Sequence, residues 1–248
     1  VRDDQLGGIF AHDIRSVGAR FETPAATEGP STARCLILVT PDAQRTMCTY
    51  LGTTADLDEK ALNLDAIASA GVYYMEGYLA ASQTGLAAAM AGRAHAVANQ
   101  VPLALTLSDV SMINFCRAGL DAMLGDGVDY LFCNEEEAQV WCGTSDLLGI
   151  TQTMGTLAKT VCLTRGAKGT LVIQGDQVQD VPGFPIKALD ANGAGDMFAG
   201  AFLFGISQNM TVGQAASLAN KAAAAVVAQY GNRLTREKVQ TILASTTA

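Results

Sequence analysis

Short apolar runs recur along the chain, separated by longer stretches in which apolar residues return every three or four positions. The runs at 72–75, 103–107, 130–133 and 161–164 are strand-length and bounded by polar or glycine-containing breaks. They predict β-strands. The stretches 82–98, 111–124, 134–142 and 151–158 between them predict helices. Strand–helix alternation of this kind builds a mainly parallel sheet covered by helices on both faces, a three-layer α/β/α sandwich. A helix is also predicted from the start of the chain to about residue 18. Residues 33–40 and 45–50 form a hairpin pattern around Pro41-Asp42-Ala43-Gln44. A second hairpin joins 169–174 to 177–181 at Gly175-Asp176. The last third reads as a strand-like segment, FPIKAL at 184–189, followed by helices at 194–207 and 211–229. Thr211 and Gln214 have the spacing of a capping box at the start of the second.

Composition narrows the class. Of 248 residues, 49% are apolar and 16% charged, which supports a large packed core and argues against disorder. The net charge is −8 and no basic run occurs, which disfavours a nucleic-acid partner while leaving room for a local phosphate pocket. The apolar stretches are too interrupted to span a membrane. Cys35, Cys48, Cys116, Cys133, Cys142 and Cys162 include no C-x-x-C pair and no metal-ligand spacing with histidine. They read as reduced thiols of a cytoplasmic protein. The alanine-rich stretch at 221–228 suits close helix packing.

The segment Asp190-Ala191-Asn192-Gly193-Ala194-Gly195-Asp196, followed by MFAGAFLFGI, carries the sharpest chemistry. Gly193, Ala194 and Gly195 let backbone approach a ligand closely and aim N–H groups at it. The helix that follows adds roughly half a positive charge at its N-terminus. Together they make an anion hole suited to a transferring phosphoryl group. Asp196, in the first turn, is placed to take a proton from an attacking hydroxyl. The plainer alternative is an ordinary strand–loop–helix connection with Asp196 as a favourable N-terminal acid.

This segment resembles the D-T-x-G-A-G-D signature of the ribokinase (PfkB carbohydrate kinase) family, departing from it at Ala191, where threonine is usual. With Asn192 it is closest in appearance to adenosine kinases, as are 105–115 and 128–137. The resemblance implies a ribokinase-like fold and ATP-dependent transfer of a phosphoryl group to a hydroxymethyl group of a nucleoside or sugar, with Mg2+. Asn134-Glu135-Glu136-Glu137 resembles the family's N-x-x-E motif, in which Asn134 and Glu137 would order Mg2+ and its waters; the same two residues also have the spacing of a helix capping box. Thr164, Gly166 and Gly169, in LTRGAKG, resemble the turn beside the nucleotide, although a plain glycine turn gives the same pattern. Asn220 matches a nucleotide-contacting position. Arg45 matches an arginine that reaches the phosphates and would offset transition-state charge. A monovalent cation near Asp190 and Gly231 is a further implication.

The resemblance also divides the chain. Residues 1–50 would form an N-terminal helix and part of a small β lid, and 51–248 an α/β core whose C-terminal half binds nucleotide. Lids of this kind can support a homodimer. Tyr78 and Leu79 lie where adenosine kinases approach the nucleoside, but read more simply as core. Family members begin with a further stretch that carries an Asp-ending strand and a Gly-Gly segment for the acceptor. Neither is found here, so the natural protein is expected to be longer. A ribokinase- or ketose-kinase-type enzyme remains the alternative acceptor class, and a non-catalytic nucleotide-binding protein the alternative of another kind.

Overall fold

Asp4 accepts a hydrogen bond from the Gly7 backbone N–H and starts the first helix, α1 (Gln5–Ser16). The computed structural model describes residues 1–40 and 45–245. After α1 the chain runs without regular structure to a two-stranded antiparallel hairpin, β1 (Arg34–Val39) and β2 (Arg45–Tyr50). The turn at 41–44 lies outside the described residues. There follow α2 (Leu64–Ala68), β3 (Tyr73–Glu76), α3 (Gln83–Ala98), β4 (Leu103–Thr106), α4 (Val110–Leu124), β5 (Val128–Asn134), α5 (Glu135–Cys142), α6 (Leu147–Met154) and β6 (Ala158–Thr164). The second hairpin is β7 (Thr170–Gln174) and β8 (Gln177–Val181), and α7 (Ala194–Ser207), α8 (Val212–Val227) and α9 (Arg236–Ala244) complete the order.

Strands β3 to β8 lie side by side in sequence order in one six-stranded sheet. The pairings from β3 to β6 are parallel and those from β6 to β8 antiparallel. Alternation along each strand divides the core in two. Leu105, Leu131, Val161 and Leu163 face a cluster shared with Leu120, Trp141 and Ile150 from the helices of one face. Ala104, Phe132 and Cys162 face the other side, against Phe198 and Phe202 of α7 and Ala215 and Ala219 of α8. The sheet is thus covered on both faces and mainly parallel, as the periodicity predicts. The alanines of α8 serve close packing: a side chain on Gly205 of α7 would meet the Ala215 methyl at 2.9 Å.

The β1–β2 hairpin is different. Leu36, Leu38, Met47 and Tyr50 are exposed on it, as are Cys35 and Cys48, whereas Cys133 and Cys162 are buried in the sheet. Among the described residues no helix is long and apolar enough to cross a membrane.

Three details depart from the sequence pattern. The FPIKAL segment forms no strand. Pro185 cannot donate to a ladder, and the β7–β8 hairpin already supplies the sheet's last strand. The helix expected at 151–158 begins four residues earlier, at Leu147, because Asp146 caps it by accepting from the Gly149 N–H. It ends by Met154, and β6 starts at Ala158. The short α2 and the polar α9 carry too weak an apolar stripe to be read from periodicity.

Phe202 is fully buried, edge-on to Tyr130 and Phe132 and stacked on Phe198. Replacing it with alanine is expected to destabilise the fold by about 3–5 kcal/mol, read as a lower urea midpoint. A change below about 1 kcal/mol would mean that α7 is not packed on the sheet in this way.

Candidate active site

The loop before α7 is fixed by one buried carboxylate. Asp190 Oδ1 accepts from the Asn192 N–H at 2.9 Å, and Oδ2 from the Gly231 N–H at 3.2 Å. The Leu189 and Asp190 N–H groups both donate to the Val227 carbonyl near the end of α8. The loop is thereby tied to the end of α8 and the turn beyond it. Gly193 then caps α7 with φ +76°, a left-handed conformation costly for other residues, and a side chain there would come within 2.6 Å of Asn232 Cβ. No side chain caps α7. A Cβ built on Gly195 meets nothing within 4 Å, so the first turn faces open space with the positive end of the helix dipole exposed.

Six of the residues singled out from sequence, Thr164, Gly166, Gly169, Ala194, Gly195 and Asn220, line one cavity of about 350 Å3. Its other walls include Phe184, Ile186, Ala223 and Val227, so an apolar slot leads to the helix N-terminus. Gly166 and Gly169 both have positive φ, and a side chain on Gly169 would collide with the Val181 carbonyl. The Thr164 hydroxyl donates to the Cys133 carbonyl at 3.3 Å. Asn220 is buried with its amide already engaged. Its Oδ1 accepts from Thr170 Oγ1 at 2.8 Å, and its Nδ2 donates to the carbonyls of Val181 and Pro182 at 3.2 Å each. In this arrangement Asn220 holds the wall of the cavity to α8.

Asp196 is exposed and borders a second cavity, of about 660 Å3, whose walls include Ile14, Phe204, Leu218 and Ile242. Ala194 and Gly195 line the first cavity and Asp196 the second, so a single helical turn touches both.

Asn134 and Glu137 form a reciprocal capping box. The Asn134 N–H donates to Glu137 Oε2 at 3.0 Å, the Glu137 N–H to Asn134 Oδ1 at 2.8 Å, and Asn134 Nδ2 to Glu137 Oε1 at 2.6 Å. Burial pushes the Glu137 carboxyl up to about 7; the Asn134 N–H opposes this, and the charges of Asp109 and Glu136 add to it. Among the described residues no group of three or more His, Cys, Asp or Glu side chains converges to hold a metal ion. The donors at 134–137 are hard oxygens, and Lys168 Nζ lies 3.6 Å from Glu135 Oε2. They fit a Mg2+ ion held largely by water and phosphate, and do not form a protein cage.

Arg45 pairs with Val39 at the start of β2, and its side chain lies outside the described residues. Leu79 packs against the core, but Tyr78 does not take the core position expected of it. It is 52% exposed and donates through its hydroxyl to the Ser108 carbonyl at 3.3 Å. Asp109, Asp196, Glu137 and Glu76 all act on it electrostatically, so it marks where carboxylates from the end of β3 and the starts of α4, α5 and α7 gather. Glu76 itself escaped sequence reasoning. Its signal was a lone acid closing an apolar strand immediately before a glycine, Gly77, where a side chain would clash with the Thr106 and Leu107 carbonyls.

The model of the pfkB family carbohydrate kinases matches residues 1–238. Adenosine kinase of Schizophyllum commune is 27% identical over 266 residues, spanning 97% of this chain and 75% of that protein. The crystal structure of adenosine kinase from Sinorhizobium meliloti superposes with a TM-score of 0.95 at 32% identity, covering 99% of this chain and 76% of that one. Anopheles gambiae adenosine kinase in complex with a diadenosine tetraphosphate gives 0.84 at 26% identity, covering 93% and 72%.

The Glu137 carboxyl yields a prediction in chelator-treated buffer. A carboxyl raised by folding stabilises the fold when protonated, and that contribution is lost as pH rises through about 7. The urea midpoint should therefore fall between pH 5 and pH 8. Glu137→Gln, which can keep the cap, should lessen that fall; a variant whose fall matches the parent's would contradict the assignment.

Proposed function

The chain belongs to the pfkB carbohydrate kinase family, and from that premise we propose that it transfers the γ-phosphoryl group of ATP to a primary hydroxyl of a nucleoside. One observation carries the reading: Ala194 and Gly195 line one cavity, and Asp196 in the same turn borders another. ATP would lie in the slot past Thr164, Gly166 and Gly169, with its base end against the apolar wall held by Asn220 and its phosphates toward α7. The acceptor would enter on the Asp196 side.

In the transfer, Asp196 takes the hydroxyl proton as the acceptor oxygen forms its bond to phosphorus and the bond from phosphorus to the ADP oxygen breaks. The N–H groups of Gly193, Ala194 and Gly195 offset charge on the moving phosphoryl group, and Arg45 would add a cation from the hairpin. A bound Mg2+ supplies charge neutralisation on the phosphates, with Asn134 and Glu137 as the residues that would hold it through water.

The apolar walls of the larger cavity favour a nucleoside over a free sugar, because a heterocyclic base gains from apolar surface and a polyol does not. The exposed apolar faces of the β1–β2 hairpin suit a lid that closes over the acceptor to exclude water, or that meets the hairpin of a second copy. Six free cysteines suit a reducing, cytoplasmic setting.

The test is phosphorylation of adenosine, ribose and fructose by ATP with Mg2+. Adenosine should be used best, and Asp196→Asn should lower kcat by about 10²–10⁴-fold with ATP affinity nearly unchanged. Preference for ribose or fructose would shift the acceptor to a sugar. ATP binding without turnover of any acceptor would point to a nucleotide-binding protein, and near-full activity in Asp196→Asn would remove the assigned base.

A further inference from the structure

Glu76 closes the edge strand β3 with a carboxylate that the reaction as described leaves unused. It is half-buried. Facing it are Tyr74 from its own strand, Ser108 from the chain beyond β4, and Asp196 from the first turn of α7; no positive side chain is among them. Ser108 Oγ donates to Glu76 Oε2 at 3.3 Å, and the Tyr74 hydroxyl bonds to the same carboxyl. Tyr74 packs on Phe132, and Phe132 on Phe198, two residues past Asp196. The strand end and the catalytic turn are thus joined through a continuous aromatic contact.

Ser108 is held in an unusual state to make this arrangement. Its φ is +70°, one of three non-glycine residues with positive φ among those described, a conformation retained only where surrounding contacts enforce it. Its N–H donates to Thr106 Oγ1 at 3.2 Å, its hydroxyl to Glu76, and its carbonyl accepts from Tyr78. A half-buried carboxylate with no cation beside it among the described residues is costly to keep, and its two hydroxyl partners offset part of that cost.

We propose that Glu76 is a positioning residue for phosphoryl transfer: its ionised carboxylate holds the Tyr74 and Ser108 hydroxyls and so fixes the wall of the site that faces Asp196. Ionised, the group accepts both hydroxyls. Protonated, one oxygen carries a donor, so the two accepted bonds lose their charge assistance and must rearrange. Burial pushes the Glu76 carboxyl up, the Tyr74 hydrogen bond opposes this, and the Asp196 charge adds to the rise. The wall therefore loosens as pH falls through a range above that of an ordinary carboxylate. This inference rests on the reading of Asp196 as the base.

The test measures kcat against pH for the full chain with ATP, Mg2+ and whichever of adenosine, ribose or fructose turns over fastest. Glu76→Gln keeps the shape and removes the titration. Its kcat should fall by tenfold or more at pH 8, the KM for ATP should change less than twofold, and the acid-side decline of the parent should be reduced. A profile parallel to the parent's overturns the proposal, because a purely structural role would lower activity equally at every pH. If Glu76→Gln does not fold, Ser108→Ala takes its place, and an unchanged kcat in that variant overturns it equally. Asp196→Asn is run alongside. Should it stay active, the base assignment has failed; should it be inactive while Glu76→Gln matches the parent, only the role of Glu76 has failed.

Discussion

A buried carboxylate must find donors, and Asp190 finds them in the backbone on both sides of the site. One oxygen takes the Asn192 N–H inside the glycine loop; the other takes the Gly231 N–H in the turn after α8. That pair of bonds holds the loop against the end of α8, so Gly193 can adopt its left-handed turn and α7 can begin with an open N-terminus. The Leu189 and Asp190 N–H bonds to the Val227 carbonyl add to this hold, whereas Gly193, Ala194 and Gly195 offer almost no side chain to pack.

Much of this was legible in the sequence because the signals were local. Strand–helix alternation gave the sheet, since apolar runs such as 130–133 and 161–164 end in clear breaks. The capping boxes at Asn134–Glu137 and Thr211–Gln214 are both present, because a cap is decided within four residues. The glycine loop was readable because its backbone needs glycine. The errors arose where a distant contact decides. FPIKAL has strand composition, but no strand edge is presented to it. Tyr78 has the composition of a core residue, yet its hydroxyl is drawn to the Ser108 carbonyl and its ring stays half in solvent.

Asn220 shows a subtler limit. Its matching position implied a place beside a nucleotide, and it lines the smaller cavity. What sequence could not convey is that Thr170, Val181 and Pro182 engage both ends of its amide. The residue shapes the pocket from behind. Glu76 escaped for the same reason, since its meaning comes from Ser108 and Asp196, far away along the chain.

Because one turn of α7 borders both cavities, a donor and an acceptor bound as proposed would share a rigid partition. A tilt of the helix that moved Asp196 by a fraction of an ångström would displace the Ala194 and Gly195 amides with it. Adaptation to a new acceptor through this helix would therefore disturb the grip on the donor. The remaining freedom to change acceptor lies in the side chains of the outer wall, which can vary without moving the partition.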